Sequence, residues 1–129
     1  MIDLTAIFAD TPPDSPLQIQ AKMAGIWAAV GEGVLARLSP DRFEFSGTLA
    51  AIEPGPVSLS LTLSEDGVGR LVLRGMHDDA AAWWPYDDGI VVTATLAGRA
   101  GELTLWPGGG GVYLTLAGAV SAQLWLGRP

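Results

Sequence analysis

The chain has no cysteine, a single lysine and a single histidine among its 129 residues. Without cysteine there can be no disulfide, no thiol chemistry, no iron–sulfur cluster and no thiolate-held zinc. One histidine rules out a two-histidine zinc site. It also leaves His77 as the only imidazole base, and no Gly-x-Ser-x-Gly elbow is present to use it. Lys22 and six arginines stand against nine aspartates and five glutamates, a formal charge of −7. Nucleic-acid backbones and anionic membrane surfaces are held through Lys/Arg patches, so neither is expected as a partner. No apolar run approaches the roughly 20 residues of a spanning helix. Residues 1–9 carry no basic stretch ahead of an apolar one, so no signal peptide is read and the expected location is the cytoplasm. Gly108 to Gly111 is followed by neither Lys-Ser/Thr nor a helical pattern, so it is not a phosphate loop, and no calcium-loop spacing occurs. No metal or cofactor is expected.

The length fits one domain, residues 1–129, large enough for an ordinary core. Asp14-Ser15-Pro16 looks like a helix start, with Ser15 as cap and Pro16 at the first helical position. Ile19, Met23, Ile26, Trp27 and Val30 then recur at helical offsets, and Gly31 and Gly33 follow. This spacing predicts an amphipathic helix over about 16–30 whose stripe packs on a sheet.

Beyond Gly33 the period changes to two. Apolar residues alternate with hydroxyls and charges through Phe43–Leu49, Val57–Leu63, Leu71–Leu73, Ile90–Leu96, Leu103–Leu105, Val112–Leu116 and Val120–Leu126. A short strand at Val34–Leu38 and another at Ile2–Phe8 are possible. Short Gly/Pro connectors between these segments permit only antiparallel neighbours. The expected fold is therefore mainly β: an up-and-down meander of seven or eight strands over about 34–127, closed as a small barrel or paired as a two-sheet sandwich.

Two regions could carry function. Met76 to Gly89 departs from plain hairpin composition, with Asp78 as a possible cap, three alanines, Trp83, Trp84, Pro85, Tyr86 and Asp87-Asp88. It reads as a loop containing a helical turn, with His77, Asp78, Trp83, Trp84, Tyr86 and Asp87 as candidate binding residues. Alternatively, one of the tryptophans plugs the end of the meander. His77 next to two carboxylates could in principle orient a base, but its solitude favours a structural role. The second region is the last forty residues, where only Arg99, Glu102 and Arg128 are charged. Its non-core positions are hydroxyls and aromatics, whereas a free sheet face ordinarily carries Lys and Glu. Trp106, Tyr113, Thr115 and Trp125 are the candidate interface residues. The sequence thus points to a non-enzymatic protein-binding or assembly module of the inhibitor, immunity or structural type. Its partner would be another protein or, as a homodimer, itself. The alternative is a small barrel that holds a hydrophobic small molecule, with weak acid/base catalysis by His77 and Asp78.

Overall fold

In a computed structural model the described residues are 5, 14, 16–39, 42–49, 57–64, 67–73, 75–118 and 121–128. They form ten antiparallel strands: β1 (Pro16–Met23), β2 (Ile26–Ser39), β3 (Arg42–Leu49), β4 (Val57–Ser64), β5 (Val68–Leu73), β6 (Met76–Tyr86), β7 (Gly89–Leu96), β8 (Arg99–Gly108), β9 (Gly111–Ala117) and β10 (Ala122–Gly127). Each strand pairs with its chain neighbours, and β1 pairs with β10, so the meander closes into a barrel. The strand suggested at Ile2–Phe8 lies outside the described residues.

The expected helix over 16–30 is instead the β1–β2 hairpin. Leu17, Ile19 and Ala21 point inward, and Gln18, Gln20 and Lys22 alternate with them on the outer side. Ala24 and Gly25 adopt φ of 51° and 80°. Two consecutive left-handed residues make the tight hairpin turn that matches strand twist, and Gly25 adopts this conformation without strain. The helical stripe divides accordingly. Ile19 and Val30 are buried, Met23 and Ile26 sit exposed at the hairpin tip, and Trp27 lies on the outside. Helical spacing arose by coincidence, because a bulge at Val30 shifts the inward phase of β2 by one residue. Gly31 and Gly33 do not end a helix; they continue β2. A Cβ on Gly31 would meet the Thr48 carbonyl oxygen at 2.0 Å, and one on Gly33 would meet the Phe45 ring at 2.4 Å.

The segment 76–89 is likewise not a loop with a helical turn but strand β6, a tight turn at 87–88 and the start of β7. Its alternation is obscured by a register break against β5 between Gly69 and Leu71, where β6 contributes Asp79 and Ala80 opposite the single residue Arg70. With β1 and β6 added to the eight strands legible in the sequence, the count becomes ten.

Among the described residues, apolar side chains pack the barrel interior. Phe43, Phe45, Trp83 and a leucine from nearly every strand are buried, with Leu63 and Val92 at 0% exposure. The inward gap lined by Leu71, Val92, Leu96, Leu103 and Leu116 holds only about 20 Å³. Outside, the strands present Ser58, Ser60, Thr62, Thr93, Thr95, Thr104 and Thr115.

Candidate functional site

Outward positions of β8, β9 and β10 fall in register. Trp106 pairs with Tyr113, Tyr113 with Trp125, and Trp125 with Gln20 on β1. Two residues along, Val91, Thr104, Thr115 and Gln123 form a second row. All four candidate interface residues therefore share one patch of the outer surface. Trp106 and Tyr113 are stacked, with centroids 6.1 Å apart and planes at 28°. Trp27, which its spacing places on a buried helix stripe, instead reaches the same patch from β2, its ring 5.7 Å from that of Tyr113. Trp27 and Trp106 are 36% and 39% exposed, and Tyr113, Thr115 and Trp125 are half-buried.

Glycine makes this arrangement possible. A Cβ on Gly127 would fall 2.0 Å from the Trp125 ring, and one on Gly111 would fall 2.8 Å from it. A Cβ on Gly108 would meet the Tyr113 ring at 2.8 Å. The rings thus lie flat along the strands over bare backbone. Trp125 is pinned there by its Nε1–H, which donates to the Gly108 carbonyl at 3.1 Å. Flat, immobilised aromatics offer contact area with little entropy left to lose on docking. Alternation in the sequence identifies Trp106, Tyr113 and Trp125 but not Trp27 or the glycine floors, for which the signal is glycine recurring at outward positions beside cross-strand aromatics.

The other candidate residues do not form one loop. Trp83 points into the core at 6% exposure, and its Nε1–H donates to the Ser64 carbonyl at 2.7 Å. Trp84 and Tyr86 point outward, 43% and 63% exposed. Tyr86 pairs with Gly89 across the β6–β7 turn, where Asp87 has a φ of 49°. Asp78 closes the β6 irregularity: its carboxylate accepts the Thr95 N–H at 2.8 Å and the Ala80 N–H at 2.9 Å. These two donors hold its pKa below the ordinary carboxylate value; the charge on His77 adds a smaller contribution, and partial desolvation opposes them. His77 is exposed and lies 3.6 Å from Asp79, which also pairs with Arg70. No group of three His, Cys, Asp or Glu suited to a metal occurs among the described residues.

No protein family, no curated protein and no solved structure matches the chain.

Proposed function

We propose that the protein is a non-catalytic binding and assembly module that works through the outer face of β8, β9 and β10, and that this face docks on a second copy of itself. One observation carries the reading: Trp27, Trp106, Tyr113 and Trp125 are gathered on one aromatic patch, with glycines placed so that the Tyr113 and Trp125 rings lie flat. Aromatic residues are enriched, and Lys and Glu depleted, at the centres of protein interfaces. A two-fold contact of the patch with its own copy is the commonest way to cover such a surface. The apolar side chains packed inside the barrel favour use of the outer surface over ligand storage inside. A cysteine-free, acidic chain suits a reducing compartment, and we place it in the cytoplasm.

Thr115 sits at the middle of the patch, pairing with Thr104 and Gln123. Thr115→Lys puts a charge there without touching the core side of β9, whereas Thr62→Lys makes the same change on the far strand β4. Light scattering after size exclusion should give a dimer for the wild type and for Thr62→Lys, and a monomer for Thr115→Lys with unchanged circular dichroism. A wild type that elutes as a monomer at high micromolar concentration rules out self-association.

A further inference from the structure

Beside the aromatic patch, at the barrel end that carries the 87–88 turn, the outer surface holds a cleft of about 340 Å³. Tyr86 forms one wall and Trp106 the other, with Gly89, Val91 and Thr104 between them. Tyr86 and Trp106 stand on β6 and β8, separated by β7, so the strands bearing them are two ladder spacings apart, roughly 9–10 Å. Gly89 occupies the intervening position, and a Cβ there would meet the Leu105 carbonyl oxygen at 2.0 Å and the Trp106 Cβ at 2.9 Å. The gap between the rings is thus kept open by a residue that cannot carry a side chain. The cleft between these two side chains has room for one planar or rod-like group.

The rim sets the chemistry. Asp87 and Asp88 both line the cleft, and no lysine or arginine does. Among the described residues the ion pairs are Arg42–Glu44, Arg70–Asp79 and His77–Asp79, so neither rim carboxylate is neutralised by a described neighbour. Two electron-rich aromatic side chains lining the cleft, with carboxylates beside them, form an environment that attracts an organic cation. The ring quadrupoles and the rim charges act in the same direction, on a chain whose overall charge is −7.

We infer that this cleft is a cation-binding site that receives the guanidinium of an arginine side chain presented by a docking protein. A guanidinium is planar, stacks on aromatic faces and pairs with carboxylates at its edge, and the cleft offers both contacts. The site adjoins the aromatic face through their shared residue Trp106. Its occupancy can be tested without any docking partner, so failure of the self-association reading leaves the test intact.

The probe is N-acetyl-arginine amide, titrated into the full chain and followed by amide and indole NMR. Its neutral isostere, N-acetyl-citrulline amide, serves as the control. The arginine probe should shift the Gly89 amide and the Trp106 indole saturably, with a dissociation constant on the order of 10 mM for an exposed single-residue ligand. The double variant Asp87→Asn/Asp88→Asn keeps the turn, because asparagine adopts left-handed φ readily; it should weaken binding about tenfold. Trp106→Ala should abolish the shifts at Gly89, with the remaining spectrum intact. Added salt should weaken the wild type but not the double variant. Equal shifts by the citrulline amide, unchanged affinity in the double variant, or shifts centred elsewhere would each overturn the assignment.

Discussion

Replacing Gly127 with alanine is expected to destabilise the protein, which is the opposite of the usual result in a strand. Alanine ordinarily gains about 0.5–1 kcal/mol over glycine by restricting the unfolded chain. Here the new Cβ would lie 2.0, 2.3 and 2.6 Å from three atoms of the Trp125 ring, all well inside contact distance. The ring must swing away and give up its Nε1–H bond to Gly108, which contributes about 1 kcal/mol. It also uncovers the sheet over Gly111 and Gly127. If about 80 Å² of apolar surface is re-exposed, that costs about 2 kcal/mol at about 25 cal/mol per Å². Offset by the gain of alanine, the net loss is about 2 kcal/mol. In a Trp125→Ala background the obstruction is gone, and Gly127→Ala should become neutral or stabilising, giving a coupling of about 2–3 kcal/mol in a double-mutant cycle measured by urea denaturation. If Gly127→Ala proves neutral in the wild type as well, Trp125 does not lie flat over the strand, and the case for an immobilised aromatic face collapses.

Trp83 faces the core, so Trp83→Ala should cost about 4 kcal/mol, whereas Trp83→Phe, losing chiefly the bond to Ser64, should cost about 1–2 kcal/mol; a small loss for both, in urea unfolding, would place the ring outside. Asp78 has a lowered folded pKa, so its contribution is fully present above the unfolded carboxylate value and is lost as pH falls through the folded one. Asp78→Asn, which can accept only at its one oxygen, should therefore lower the urea midpoint at neutral pH and converge with the wild type in strong acid; a gap independent of pH would show that the carboxylate charge plays no part.

Most strands were legible because the core positions of β4, β7, β9 and β10 recur at every second residue, and period two needs no tertiary information to be seen. The hairpin of β1 and β2 was not, since the bulge at Val30 let Ile19, Met23, Ile26, Trp27 and Val30 mimic a helical stripe. A two-residue turn at Ala24-Gly25 is also a weak signal beside Pro16, which suits the first position of a helix and of a strand alike. In β6 the break at Asp79–Ala80 and the run of alanines hid a strand whose inward residues are Ala81 and Trp83. Trp106, Tyr113, Thr115 and Trp125 could be found because alternation alone assigns them to one side of consecutive strands. What joins Trp27 and Tyr86 to their neighbourhood is barrel closure and hairpin register, and these are set by pairing partners distant in the sequence.

The most direct test of the docking face is oxidative footprinting of the tryptophans at low and high micromolar protein. Trp27, Trp106 and Trp125 should become protected as concentration rises, while Trp84, outward on β6 and 43% exposed, keeps a constant rate. Protection of Trp84 instead, or rates for all four that do not change with concentration, would contradict the assignment of this face as the surface on which two copies meet.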